Sequence, residues 1–169
     1  MSPILRPNTL DVISHSVAQT RRLGARLGVR AQPGDIFCLE GELGSGKTSF
    51  VQGIGEGMGA NGPVVSPTFV LVSVYHTAPG RPPLYHLDLY RITGPQEALD
   101  SGLEEYLYSE GVVAIEWPER IREILPIEHL WISFRYLEAS KRGLLFQPKG
   151  ARYEALVTEL TRDIYGGKE

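Results

Sequence analysis

One stretch limits what this chain can fold into more than any other. Residues 41–48 read Gly41-Glu42-Leu43-Gly44-Ser45-Gly46-Lys47-Thr48 and fit G-x-x-x-x-G-K-[ST]. Glycines at 41, 44 and 46 let the backbone turn tightly and direct successive N–H groups into one concavity. Such a loop works only between a buried strand and the positive N-terminal end of a helix. The flanks supply both, with an apolar run at Asp35 to Glu40 before it and a helical segment from Lys47 to about Met58 after it. The stretch therefore reads as a phosphate-binding P-loop (Walker A). Its nucleotide-binding candidates are Glu42, Leu43, Gly44, Ser45, Gly46, Lys47, Thr48 and Ser49. Lys47 is placed to reach the β- and γ-phosphates, which also makes it a catalytic candidate, and the Thr48 hydroxyl is placed to ligate Mg²⁺.

At 169 residues the chain is long enough for one well-buried domain, and a single P-loop domain over 1–169 is expected. A net charge of −3 argues against gripping RNA or DNA with the whole surface, so any contact with nucleic acid would be local or through a partner. The single cysteine, Cys38, excludes an internal disulfide and suits a reducing compartment. No apolar run approaches membrane-spanning length and the N-terminus lacks a signal peptide's apolar core, so a soluble, cytoplasmic protein is expected. The four histidines, 15, 76, 86 and 129, show no metal-ligand spacing.

Residues 14–30 show helical periodicity, with Val17, Leu23 and Leu27 on one face and Ser14 or Ser16 as the cap. The helix after the P-loop meets Gly53, Gly55, Gly57 and Gly59, which predicts a weak far end. Strands are expected over Phe69 to Tyr75 and Leu84 to Tyr90, joined by a Pro/Gly-rich loop as an antiparallel hairpin. Short helices follow Gly94-Pro95 and Gly102. The run Gly111 to Ile115 reads as a strand buried on both faces. Strands at Leu130 to Tyr136 and Gly143 to Phe146 and a helix over 150–165 complete the pattern. It predicts an α/β fold of three layers, the P-loop NTPase fold, with a mixed, mainly parallel central sheet and an added antiparallel hairpin.

A P-loop enzyme also needs an acid near Mg²⁺ and a group that positions water. Glu116 ends the apolar run and is the metal candidate; a strand-end Glu facing solvent is the alternative. In Tyr85-His86-Leu87-Asp88-Leu89-Tyr90-Arg91, alternation puts His86, Asp88 and Tyr90 on one face. From periodicity alone, that face is equally a solvated hairpin surface. Ser66-Pro67-Thr68 lies where nucleotide-sensing loops often lie, and is equally an ordinary turn.

With these pieces together, the chain resembles the TsaE (YjeE) family, small bacterial ATPases of tRNA threonylcarbamoyladenosine biosynthesis. The matching segments are the P-loop, Ser66-Pro67-Thr68-Phe69-Val70-Leu71, Tyr85 to Arg91 and Glu116-Trp117-Pro118-Glu119. The resemblance implies that Lys47 and Thr48 bind phosphate and Mg²⁺, that Glu116 completes the magnesium site and that Asp88 is needed for hydrolysis. It also implies that Trp117 lies near the nucleotide and that the partner is the TsaB–TsaD pair. Where the family commonly has threonine this chain has Val70, which offers no hydroxyl. Two other readings of the P-loop remain: a small-molecule kinase, for which Arg81, Arg91, Arg120 and Arg122 are available but unclustered, and a nucleotide-dependent switch with little catalysis. A guanine-type switch would use N-K-x-D, and neither Asn8 nor Asn61 is followed by lysine.

Overall fold

The computed structural model describes residues 8–65 and 72–166. The candidate segment Ser66-Pro67-Thr68, the first residues of the strand expected from Phe69, and Val70 lie outside the described residues. The elements follow in the order β1 (Leu10–Ser14), α1 (Val17–Arg30), β2 (Ile36–Glu40), α2 (Lys47–Gly57), β3 (Pro63–Val65), β4 (Val72–Tyr75) and β5 (Leu84–Asp88). They continue with α3 (Pro95–Asp100), α4 (Glu104–Leu107), β6 (Val112–Glu116), β7 (His129–Tyr136), β8 (Arg142–Lys149) and α5 (Ala151–Thr161).

One sheet carries all the described strands in the order β1-β8-β7-β2-β6-β5-β4-β3. Its centre, β7-β2-β6-β5, is parallel throughout. β8 and β4 run against it, and β1 and β3 reverse once more, so six strands share one direction and two oppose it. The β4–β5 hairpin is antiparallel as expected. A second antiparallel flank, β7-β8-β1, extends the other side of the sheet. The strand β1 breaks the alternation, with Ile13 exposed and Ser14 buried, and β3 is only three residues long.

Two cores sandwich the sheet because the strand side chains alternate between its faces. Phe37, Leu39, Val112 and Ala114 meet α1, α2 and α5 through Leu27, Phe50, Ile54 and Leu156. Ile36, Cys38, Val113 and Ile115 meet α3, α4 and the 3₁₀ segment Pro118–Ile124 through Ala98, Leu103, Leu107 and Ile121. The even-numbered residues of β5 and β6 therefore face the side carrying the P-loop helix, which decides where His86, Asp88 and Glu116 point. Among the described residues no helix is long and apolar enough to cross a membrane.

Helix α1 starts at Ser16, whose Oγ accepts the Gln19 N–H at 3.0 Å, a cap worth about 1 kcal/mol. Its inner face keeps Leu27 and, in part, Leu23 of the expected hydrophobic stripe but not Val17. Val17 is 70% exposed, and the buried positions are Thr20, Gly24, Leu27 and Gly28. Small residues win there because α1 lies backbone to backbone on α2. A Cβ added to Gly24 would stand 2.1 Å from the Phe50 carbonyl oxygen, and one added to Gly28 would stand 2.2 Å from that of Ile54.

The same contact corrects the expectation of a weak end to α2. The helix runs unbroken to Gly57, and the Gly59 and Ala60 N–H groups close it on the Glu56 and Gly55 carbonyls at 3.0 and 2.8 Å. The local cost of its glycines is outweighed by the approach they permit. At Gly53 a Cβ would sit 1.9 Å from the Arg21 carbonyl oxygen. Gly→Ala at an open helix position stabilises by about 1 kcal/mol. Gly53→Ala is instead expected to destabilise by about 3 kcal/mol, at the upper end of overpacking costs. Thermal or urea unfolding beside wild type checks this, and an unchanged or raised midpoint would disprove the close-packing explanation.

Candidate functional site

The P-loop leaves β2 at Glu40 and enters α2 at Lys47. Gly44 and Gly46 have φ of 78° and 104°, the left-handed turn that lets the loop curl back before the helix starts. The Ser45 N–H donates to the Glu42 carbonyl at 3.1 Å and the Phe50 N–H to that of Gly46 at 3.0 Å.

Lys47 is 3% exposed. Its Nζ donates to the Gly41 carbonyl and lies 4.0 Å from the centroid of the Trp117 ring. Burial pulls its ammonium below the usual lysine value, a shift that the carboxylates of Glu116, Glu119, Asp88 and Glu40 only partly oppose. The lysine is thus held inside the site by a carbonyl and an aromatic face. Neither contact is as strong as a charged phosphate oxygen would be.

Glu116 ends β6 with its carboxylate turned to the P-loop side. Its Oε2 accepts the Thr48 hydroxyl at 3.3 Å and meets His86 Nε2 at 2.6 Å. Burial alone would raise the carboxyl's pKa. The His86 hydrogen bond and charge, then Lys47 and Thr48, outweigh it and hold the group below the usual carboxylate range. Glu116 is therefore ionised, which makes His86 Nε2 the donor of that short bond. The solvent-facing alternative for Glu116 fails, since it is 6% exposed. Cis oxygens on an octahedral Mg²⁺ stand about 3 Å apart, so the Thr48–Glu116 spacing would suit that ion, and His86 fixes the same carboxylate oxygen.

Asp88 lies beside Glu116 in the parallel β5–β6 register. It is exposed, as alternation predicts, but the surface it faces is the P-loop cleft. One carboxylate oxygen accepts the Tyr90 N–H at 3.1 Å. Trp117 follows Glu116 with φ 63°, a left-handed conformation that is strained for a tryptophan. That turn brings its ring over Lys47 and within 5.2 Å of the Tyr90 ring.

These groups border one cleft of about 490 Å³, within the range of small-molecule sites. Leu43, Gly44, Gly46, Lys47, Thr48 and Ser49 line it from the P-loop, and Asp88, Glu116 and Trp117 from the strand ends. Glu42 and Ser45 do not. They line a separate hollow on the other side of the loop. Sequence reasoning missed Arg142, which opens β8, donates from Nη2 to the Gly44 carbonyl at 3.1 Å and stacks on Tyr136. No local pattern marks it, because its partner is far away in sequence. It also missed Ser16, Val17 and Thr20 of the first helix and its cap, which form the opposite wall. For His86 a signal did exist: the alternation that places it on the face of Asp88.

The family model described as "Threonylcarbamoyl adenosine biosynthesis protein TsaE" matches residues 14–144. A tRNA threonylcarbamoyladenosine biosynthesis protein TsaE of Bacillus subtilis is 41% identical over 144 residues, covering 85% of this chain and 89% of that protein. The Treponema pallidum protein of the same name is 40% identical over 132 residues, covering 78% and 96%. Among solved structures, a crystal structure of Bacillus subtilis YdiB superposes with a TM-score of 0.77 at 34% identity, covering 96% of this chain and 99% of its own.

Proposed function

The chain belongs to the TsaE family, and on that premise we propose that it is a Mg²⁺-dependent ATPase supporting the TsaB–TsaD pair. In this reading ATP is hydrolysed to ADP and phosphate while threonylcarbamoyladenosine is formed in tRNAs that read codons beginning with A. The observation that carries it is the convergence of Lys47 and Thr48 from the P-loop with Glu116 and Asp88 from two adjacent strand ends, in one cleft.

Each group has a task. The P-loop N–H groups and the start of α2 take the phosphates. Lys47 leaves Gly41 and Trp117 for the β- and γ-phosphates. Thr48 and Glu116 would hold Mg²⁺, which would neutralise charge on those phosphates. Asp88, with one oxygen tied to the Tyr90 N–H, orients the attacking water and accepts its proton. Trp117 screens the reacting end from bulk solvent. The transfer to tRNA belongs to the partner, and the chain's net charge of −3 fits a protein that does not grip RNA broadly.

The test is ATP hydrolysis with Mg²⁺, measured with and without a purified TsaB–TsaD pair. Release of phosphate stimulated by the pair is the expected outcome. If the pair neither binds nor stimulates and phosphate appears on an added metabolite, the protein is a kinase and the proposal fails.

A further inference from the structure

The run Glu116 to Glu119 leaves one residue without a task. Glu119 has a carboxylate oxygen, Oε1, that is buried and makes no hydrogen bond among the described residues. It borders the second hollow, about 530 Å³, on the side of the P-loop away from the cleft. Glu40 and Glu42 stand in the same wall with Ser45, and the Trp117 ring is common to both cavities. Ser45 is 2% exposed and its Oγ also has no hydrogen-bond partner among the described residues. Glu40 is half engaged, with Oε1 accepting Trp131 Nε1 at 2.9 Å and Ser133 Oγ at 3.2 Å. The basic residue of the wall, Arg135, is paired with Asp11.

The hollow thus offers three carboxylates, an idle hydroxyl and an aromatic face, and its own arginine is already spent. Phosphates and nucleic acid are repelled by that wall. Among the described residues no three acidic, histidine or cysteine side chains come together closely enough to hold a metal ion, so the negative charge is spread too widely for one. A guanidinium matches the spread: it carries several donors in one plane, pairs with carboxylates and stacks on aromatic rings. We infer that this hollow is a docking site for an arginine side chain presented by a protein partner. The arginine pairs with the Glu42 and Glu119 carboxylates and shares the Trp117 ring with Lys47 and Arg120, which places the partner's charge directly behind the nucleotide cleft. The site is independent of ATP hydrolysis, so its test needs no nucleotide.

The probe is Nα-acetyl-L-arginine amide, titrated into the full ¹⁵N-labelled chain, with the uncharged Nα-acetyl-L-citrulline amide beside it. Saturable shifts are expected at the amides of Ser45, Glu119 and Ser133 and at the Trp117 indole. Binding should weaken at least tenfold for the citrulline probe and at least tenfold in Glu119→Gln. If Glu119→Gln fails to give a folded spectrum, Glu42→Gln, at an exposed position, should weaken binding severalfold. Equal shifts from both probes, shifts without saturation, or arginine binding unchanged in the glutamine variants would overturn the assignment. Such a failure would leave the hydrolysis proposal standing.

Discussion

Lys47→Met is expected to lower Mg²⁺-dependent ATP turnover by about 10³-fold, the upper end for losing one group aimed at developing phosphate charge. Nucleotide affinity should fall with it, because the lysine serves bound ATP before it serves the transition state. Stability should hardly move. The ammonium is 3% exposed and its charged form is disfavoured by burial. Methionine supplies a stem of similar length and removes an ammonium that has to be desolvated to be buried. The carboxylate most exposed to the loss is Glu116, which keeps His86 and Thr48. Calorimetric nucleotide titration, phosphate release and a thermal melt check the three parts separately. A variant with near-normal turnover would remove Lys47 from the chemistry. A variant that is merely unfolded would reveal itself in the melt.

What could be read from the sequence follows the range over which each signal acts. The P-loop, the buried strand ahead of it and the strand ending at Glu116 are local, and the structure has them at Ile36–Glu40, Lys47–Gly57 and Val112–Glu116. The convergence of Lys47, Thr48 and Glu116 could be anticipated on the same local grounds, since the end of a parallel strand beside a P-loop opens onto it, whereas Trp117 is implied only by the family resemblance. Signals that depend on a partner element were not legible. Glycines in α2 look like defects until α1 is laid across them. Val17 looks like core until its face turns out to border the cleft. Arg142 reaches Gly44 across almost a hundred residues of chain, and no window of sequence contains both. Asp88 falls between these cases. Alternation correctly placed it on an exposed face, but whether that face was bulk surface or site depended on where α2 came to rest.

Asp88→Asn is expected to separate chemistry from binding where Lys47→Met does not. Asparagine is nearly the same shape, and its carbonyl oxygen can still accept the Tyr90 N–H that holds the side chain in place. The lost properties are the negative charge and the ability to take a proton from water. Loss of a general base costs about 10²–10⁴-fold in turnover. Nucleotide affinity should stay within about threefold of wild type, and on electrostatic grounds any change should favour tighter binding, because a carboxylate near the phosphates repels them. Turnover measured with the TsaB–TsaD pair present, beside calorimetric affinity for the same protein, reads both quantities. Lost turnover with retained binding is the signature of a group acting on the water. Parallel losses in both would instead place Asp88 on the metal with Thr48 and Glu116. Its neighbour in register is Glu116, so such a result would move the water-positioning role away from the β5–β6 strand ends. Full turnover in Asp88→Asn would leave the solvated-face reading of this aspartate as the correct one.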